Sequence, residues 1–304
     1  MCKIDCSDLG KGSEYDKNIT IFSDKIISPI RALAHVLDTG MSKIDYEKNC
    51  KLVNKTKRIL PPYYTVEAEK LKCRPPGIVC NDVEVCVPLQ CLLNHTVSRL
   101  LEDEDIQEQI ERLSNLNDHE PLLLEFLYKY GSDGTGGMGK FKQSSQNDNK
   151  AGKLYASNLV ALQLVTYVKG RIHIIYNNTL CNSSSSVRPI HHLYAQETTA
   201  IIQAENQRLD AEIEGLLKFE WTENVTVGFI GFNSMNDQKV VNAINDNSSS
   251  QRCPFCLAKP SDVNQPGAIF LSDPDALGQL CLSVLHFVIR SVEHIFKVTL
   301  SKNL

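Results

Sequence analysis

Several features that define other protein classes are missing from this 304-residue sequence. It has no run of about 18 apolar residues, so we predict no membrane-spanning helix and no membrane partner. The amino-terminal segment MCKIDCSDLGKGSEYDKN is polar and lacks the apolar core of a secretion signal, so we expect a reducing compartment. The net charge is -4, which argues against overall attraction to nucleic acid but leaves room for a local basic face.

The composition, with 42% hydrophobic and 22% charged residues, is that of a folded protein long enough for two domains. In a reducing compartment the eleven cysteines are expected to be free thiols or metal ligands. Cys253 and Cys256 have the C-x-x-C spacing of half a zinc site, and a tetrahedral structural site needs four ligands. Cys281 and His286 would complete a Cys₃His set; otherwise the half site stays open or another chain fills it.

A basic segment follows the first predicted helix, FSDKIISPIRALAHVLD, which we expect Pro29 to break. Lys48, Lys51, Lys55 and Arg58 are spaced so that a continuous helix would carry all four on one face. Such a face could contact DNA phosphates. The alternative is a helix surface that is simply solvated, and the spacing does not separate the two.

The periodicity changes from helical to strand-like after residue 120. PLLLEFLYKYG predicts one strand, LVALQLVTYVKGRIHIIYNN predicts two strands with a hairpin at Lys169-Gly170, and VTVGFIGF predicts a fourth. QETTAIIQAENQRLDAEIEGLLKF between them has the apolar spacing of a helix. The order is β-β-β-α-β, and VPLQCLLNHTVSRLLEDEDIQEQIERL ahead of it reads as helix. We therefore predict an α+β or α/β fold preceded by a mainly helical region.

The stretch GSDGTGGMGKFKQ fits two glycine-rich nucleotide-binding patterns, yet the residues that should follow either pattern are absent. Phe141 stands where a phosphate loop needs Ser or Thr, and the next residues are polar rather than helical. Its aspartate suggests a different site. Asp133 follows the first strand and Asp237 follows the fourth, so parallel pairing of these strands would bring both carboxylates to one edge. Carboxylate oxygens are preferred ligands of Mg²⁺.

Six blocks of the sequence, in order, resemble those of Transib-type DNA transposases, the family that includes the catalytic recombinase of V(D)J joining. The blocks are ILPPYYTVEAEKLKCRPPGI with VEVCVPLQCLLNHTVSRLL, YGSDGTGGMGKFKQ, VRPIHHLYAQET, GFIGFNSMNDQKVVNAI, CPFC and GQLCLSVLHFVIRSVEHIF. They run from about residue 55 to residue 304. The resemblance implies an incomplete ribonuclease-H-like core and metal-dependent cleavage and transfer of DNA strands.

The resemblance also implies roles for individual residues. Asp133 and Asp237 would be the first two catalytic carboxylates and would bind Mg²⁺ or Mn²⁺, with Glu197 at an acidic position near the metals. Lys140 and Lys142 would lie near the DNA backbone, and Cys253 and Cys256 would begin a zinc site. The expected partners are double-stranded DNA at transposon ends or recombination signals, a second copy of the chain and an accessory subunit, in the nucleus.

Two features of the family have no match here. They are a third catalytic glutamate downstream of the C-x-x-C block and a histidine pair that completes the zinc site. We therefore expect a truncated member that is inactive by itself, with domains at 1–118 (helical, DNA-binding), 119–252 (catalytic core) and 253–304 (start of the zinc region). The alternatives are a non-catalytic DNA-binding or assembly protein and a nucleotide-binding protein that uses the glycine stretch.

Overall fold

The computed structural model describes residues 27–55, 59–118, 120–136 and 153–245, together with residues 259 and 261. The chain divides into two compact units, Met1–Pro75 and Pro76–Leu304. The sequence interpretation placed its first boundary at residue 118 instead. None of the described helices is long and apolar enough to cross a membrane.

The described part of the first unit is helical, with α1 at Pro29–Thr39, α2 at Lys43–Val53 and α3 at Tyr63–Lys72. α1 begins at Pro29, and residues 22–26 of the predicted helix lie outside the described residues. The Ser28 side chain caps α1 by accepting from the backbone N–H of Arg31, and a proline in the first turn has no N–H to leave unsatisfied. A small core joins the three helices; its members are Ala32, Leu33, Tyr46 and Val66.

The basic helix is shorter than its spacing predicted. α2 ends at Val53, so Lys55 lies beyond it. Asn54 accounts for the ending, since its Oδ1 accepts from the backbone N–H of Ile59 at 2.7 Å and of Leu60 at 2.9 Å. These hydrogen bonds end the helix before Lys55. The predicted continuous helical face of four cations therefore does not form.

The described part of the second unit is a mixed sheet with helices. In chain order its elements are β1 (Val79–Cys80), β2 (Glu84–Cys86), α4 (Leu89–Leu101), α5 (Glu104–Leu116), β3 (Leu122–Gly136), β4 (Lys153–Val168), β5 (Arg171–Asn177), β6 (Val187–Leu193), α6 (Thr199–Glu214), β7 (Phe219–Thr222), β8 (Val225–Asn233) and α7 (Gln238–Ile244). The strands lie in the order β1-β2-β6-β4-β3-β8-β7, and β5 pairs with β4. The predicted mixed α and β character is therefore confirmed.

The predicted strands and helix occur in the predicted order as β3, β4, β5, α6 and β8, with one unpredicted strand, β6, before α6 and another, β7, after it. β3 runs antiparallel to β4 and parallel to β8, and α6 comes between β6 and the last two strands. The hairpin at Lys169-Gly170 is confirmed: β4 and β5 pair across it, and both residues have positive φ, at 48° and 75°. The strand β6 was not predicted; it pairs with β4 beyond the stretch that β5 occupies.

The helices α4 and α5 pack in the same core as the sheet, which explains why the first boundary lies before them. Buried side chains from both helices and from β3, β4 and β8 form one cluster. Its fully buried members include Leu93, Val97, Leu101, Leu124, Phe126, Tyr128, Leu159 and Val227. Burial of one such side chain is worth about 1.5–3 kcal/mol, so this shared core holds the helices to the sheet.

The glycine stretch is extended rather than turned over its described part. β3 continues to Gly136, and Asp133 pairs with Ala156 of β4. The sequence interpretation expected Asp133 to follow the strand and the glycines to form a turn. In the structure Asp133 instead lies within the strand. Residues 137–152, which hold the rest of the stretch, lie outside the described residues.

Candidate functional site

The end of β3 and the segment after β8 are joined by a direct hydrogen bond. β8 runs parallel to β3 up to the pair Tyr130 and Asn233, so both chains leave this pairing at the same edge. The backbone N–H of Ser132 then donates to Oδ1 of Asn236 at 2.8 Å. Asn236 is 6% exposed, and this bond satisfies a buried donor.

Gly131 makes this close approach feasible. A Cβ atom at that position would lie 2.5 Å from the backbone carbonyl carbon of Met235 and 2.7 Å from Oδ1 of Asn236. Any larger residue would push the segment after β8 away from β3. The glycine therefore serves packing between two chain segments, which the nucleotide-binding patterns did not predict.

Glu197 lies directly before α6, with Thr198 as the residue that caps the helix. Its side chain rests on Gly134, where a Cβ atom would lie 2.5 Å from Cβ of Glu197. Its Oε2 accepts from Nζ of Lys239 at 2.6 Å. Its Oε1 is buried and has no hydrogen-bond partner among the described residues. A buried carboxylate oxygen without a partner is costly, so it marks a position where a donor or cation would be stabilised.

Asp237 begins α7. Its Oδ1 accepts from the backbone N–H of Val240 at 2.8 Å, which is the geometry of a helix cap. The side chain is half-buried, and it follows Asn236 in the chain. Asp237 thus follows β8 in the chain, and the cap provides a structural role that the sequence interpretation did not assign.

Asp133 is exposed on β3. Successive side chains of a strand point to opposite faces, so Asp133 and the position of Gly134, where Glu197 rests, lie on different faces. Both carboxylates nevertheless contribute to raising the pKa of the same hydroxyl, that of Tyr155. Burial raises the pKa of Tyr155 to about 12, and the negative charges of Glu205, Glu197 and Asp133 add to that increase.

The three predicted carboxylates therefore lie on segments near the end of β3, but they are not arranged as the ligands of one metal ion. Within residues 27–55, 59–118, 120–136 and 153–245, no three His, Cys, Asp or Glu side chains are placed to hold a metal ion. The orphaned oxygen of Glu197 is the feature that best fits a cation. The Mg²⁺ or Mn²⁺ site at Asp133 and Asp237 stays a prediction.

The other predicted site residues are distributed as follows. Lys48 and Lys51 are exposed on α2, and Lys55 is exposed just beyond it. Lys48 lies 3.6 Å from Asp45, which partly offsets its charge. The remaining positions lie outside the described residues; they are Arg58, Lys140, Lys142, Cys253 and Cys256.

A buried polar network beside this edge was missed by the sequence analysis. The carboxylate of Glu205 on α6 accepts from Oγ of Ser157 at 2.6 Å, binds Nδ1 of His191 at 2.8 Å and pairs with Arg208 at 2.7 Å. Nε2 of His191 in turn lies 3.2 Å from Glu84 on β2. The network joins β2, β4, β6 and α6, so it fixes α6 on the sheet.

The charges of this network depend on one another. Burial alone would raise the pKa of Glu205, but hydrogen bonds from His191, Arg208 and Ser157 lower it to about 2. The hydrogen bond to Glu205 raises the pKa of His191 above its ordinary value, against the opposing effect of burial. A single Glu at a helical position in a sequence gives no sign of partners on two separate strands, β4 and β6, which is why this network escaped prediction.

Comparison with known proteins adds no assignment: no protein-family model matches the chain, and a search of curated proteins finds no match.

Proposed function

We propose that this chain is derived from a DNA transposase or recombinase of the kind that cleaves and transfers DNA strands with Mg²⁺ or Mn²⁺, and that it is inactive by itself. The observation that carries the proposal is the parallel pairing of β3 with β8, closed by the Ser132–Asn236 hydrogen bond. It puts the residues next to Asp133 and Asp237 in direct contact. The strand order β6-β4-β3-β8, with α6 before β8, also supports a ribonuclease-H-like core.

The proposed chemistry assigns separate tasks to these residues. Asp133 and Asp237 would hold the divalent cation. The bound cation would supply charge stabilisation for in-line phosphoryl displacement and would help to form the nucleophile. The Ser132–Asn236 bond ties together the two segments that carry these aspartates.

The experiment that tests this function has two measurements. Binding of Mn²⁺ is followed by electron paramagnetic resonance, and nicking of supercoiled plasmid is followed with Mg²⁺ or Mn²⁺. We expect Asp133→Asn and Asp237→Asn each to weaken Mn²⁺ binding and to remove any nicking, while Asp82→Asn at an exposed turn leaves both unchanged. A chain that binds no Mn²⁺, or nicking that survives Asp133→Asn, would overturn the assignment.

A non-catalytic DNA-binding or assembly protein is the second candidate. The exposed lysines at positions 48, 51 and 55 of the first unit favour it, since exposed cations can neutralise phosphates without any metal. The two candidates differ in their dependence on Asp133. DNA binding that needs the lysines, in a chain without Mn²⁺ binding or nicking, would select the second candidate.

A further inference from the structure

His191 on β6 lies between two carboxylates that belong to different elements. Its Nδ1 is 2.8 Å from Oε2 of Glu205 on α6, and its Nε2 is 3.2 Å from Oε2 of Glu84 on β2. The side chain of Glu205 is 5% exposed, whereas that of Glu84 is 35% exposed. The imidazole therefore joins a buried partner on one side to a half-buried partner on the other.

Only the doubly protonated imidazole can donate to both partners. An imidazolium has an N–H on each ring nitrogen, so each carboxylate accepts one hydrogen bond. A neutral imidazole has one N–H, and its other nitrogen presents a lone pair. The remaining N–H belongs on Nδ1, because Glu205 is the more deeply buried and the closer of the two carboxylates. Loss of one proton thus turns the contact with Glu84 from an ion pair into a repulsion between a lone pair and a carboxylate.

The strands around His191 bring three further polar groups to it. On β2, Cys86 pairs opposite His191, and burial raises the pKa of its thiol, so the thiol is uncharged near neutral pH. On β4, Ser157 pairs opposite His191 and donates to Glu205. On β6 itself, burial and the charge of His191 lower the pKa of His192. None of these three groups carries a negative charge near neutral pH, so none replaces either carboxylate.

The helix α6 adds a cation and a second carboxylate. Arg208 pairs with Glu205 at 2.7 Å and also with Glu212, and its charge opposes an imidazolium at His191. The hydrogen bond to Glu205 outweighs this opposition, and it raises the pKa of His191 above its ordinary value of 6.5. The double contact is therefore complete below that ordinary value and is lost as the pH rises through the raised one.

The β1–β2 hairpin, residues 79–86, has few other attachments. β2 pairs with β6 over three residue pairs, and the backbone N–H of Tyr194 donates to the carbonyl of Val83 at 2.8 Å. The side chains of Val79, Val83 and Val85 are all exposed. A two-stranded hairpin is marginally stable by itself in water, so one side-chain contact can shift its attachment to the sheet.

We propose that the β1–β2 hairpin docks on β6 in a pH-dependent way: it is held while His191 donates to both carboxylates, and it opens more often once the imidazole is neutral. The neutral imidazole stays on Glu205, so α6 keeps its place on the sheet. Opening leaves β6 as the edge strand at this end of the sheet, since β2 is its partner on that side. This inference concerns neither the metal nor DNA, so it does not depend on the proposed function.

Hydrogen–deuterium exchange of the full chain tests the inference. It is followed by mass spectrometry from about pH 5.5 to 8.5 and corrected for the intrinsic exchange rates. We expect protection of peptides covering residues 79–87 to fall roughly three- to tenfold over this range, as for a charged contact that is partly exposed. Peptides covering residues 122–130 of β3 report global unfolding and should change less. Equal losses in both regions, or a flat profile at residues 79–87, would overturn the inference.

Glu84→Gln separates titration from simple attachment. Nδ2 of Asn81 donates to Oε1 of Glu84 at 3.1 Å, and the oxygen of a glutamine can accept the same bond. Its amide N–H then faces Nε2 and can donate to the lone pair of a neutral His191. We expect less protection than wild type near pH 5.5 but a change of less than about twofold as the pH rises. A pH slope equal to that of wild type would contradict the assignment.

Two histidine variants complete the test. His191→Gln removes the titrating group, so protection of residues 79–87 should no longer depend on pH. His173→Gln on β5 removes a histidine that pairs with Thr166 and takes no part in this network, so it should keep the wild-type profile. If thermal unfolding shows that His191→Gln is poorly folded, Glu84→Gln decides by itself, because Glu84 lies at the half-buried rim of the network.

Discussion

The backbone N–H of Ser132 donates to Oδ1 of Asn236 at 2.8 Å, and each candidate aspartate is the next residue in the chain. One amide side chain thus sets the spacing between two acidic positions from different parts of the sequence. Nδ2 of Asn236 also donates to Oδ1 of Asn233, at the end of β8. The geometry of the site consequently depends on a residue that carries no charge.

Asn236→Ala tests this dependence. It leaves the buried N–H of Ser132 without an acceptor, so we expect a loss of about 1–3 kcal/mol in the free energy of unfolding, measured with urea. Mn²⁺ binding should weaken as well, since the segment that carries Asp237 loses its anchor. Asn182→Ala, at an exposed side chain that accepts from Lys129, should stay within about 0.5 kcal/mol of wild type. Equal effects of the two variants would contradict the role given to Asn236.

Gly134→Ala tests the contact between β3 and Glu197. The new Cβ would lie 2.5 Å from Cβ of Glu197, so we expect overpacking that costs about 1–3 kcal/mol of unfolding free energy. Glu197→Gly should relieve the clash in the double variant, which a thermal-unfolding cycle measures. Gly228→Ala on β8 is the matched control, because its Cβ would meet only ordinary contact at 3.9 Å. If Gly228→Ala lowers the unfolding free energy as much as Gly134→Ala does, the loss comes from replacing any strand glycine and not from contact with Glu197.

Acid should weaken the buried network. The lowered pKa of Glu205, about 2 against an ordinary 4.5, means that its contribution to stability is fully present above pH 4.5 and is lost as the pH falls toward 2. The raised pKa of His191 gives the opposite slope: its contribution is present below its ordinary 6.5 and is lost as the pH rises through the raised value. We therefore expect maximal stability from this pair between about pH 4.5 and 6.5.

Glu205→Gln should flatten the acid side of that profile and cost about 3 kcal/mol or more near pH 6, because Arg208 and His191 lose a buried partner. His191→Gln should flatten the alkaline side. Urea unfolding from pH 3 to pH 8 measures both, with Glu214→Gln at an exposed position of α6 as the control. If Glu205→Gln leaves the loss of unfolding free energy at acid pH unchanged, that loss comes from other carboxylates.

DNA binding by the first unit has its own test. The double substitution Lys51→Gln and Lys55→Gln should reduce the slope of log affinity against log salt by about 2, since each phosphate contact contributes roughly 0.9. Fluorescence anisotropy with a labelled duplex measures the slope. Lys169→Gln with Lys218→Gln removes the same charge from the second unit. A slope unchanged by the first pair would remove α2 from the DNA interface.

The sequence predicted the parts of the fold that local pattern determines. The strands at PLLLEFLYKYG and VTVGFIGF, the hairpin at Lys169-Gly170 and the helix α6 follow from alternation, positive-φ turn residues and helical spacing. The parallel approach of β3 and β8 was expected as a condition for the site, and the structure contains it. The order of elements alone thus brings Asp133 and Asp237 to neighbouring segments.

What the sequence could not predict depends on contacts between distant side chains. Asn54 ends α2 through bonds to the following loop, so helical spacing overestimated the basic face. Lys239 meets Glu197 only because α7 returns to the start of α6. Gly134 belonged to both glycine-rich nucleotide-binding patterns, yet the missing side chains of Gly131 and Gly134 make room for Met235 and Glu197. A glycine needed for close approach is indistinguishable in sequence from a glycine needed for a turn.

The hydrogen bond between Ser132 and Asn236 closes a loop of 104 residues. Closing so long a loop costs chain entropy before any contact compensates for it, so this edge belongs to the slowly formed part of the topology. During synthesis, Asp133 is made well before the strand that completes its surroundings. A folding chain therefore carries Asp133 long before it carries Asp237, and formation of the Ser132–Asn236 bond reports that β3 and β8 have come together.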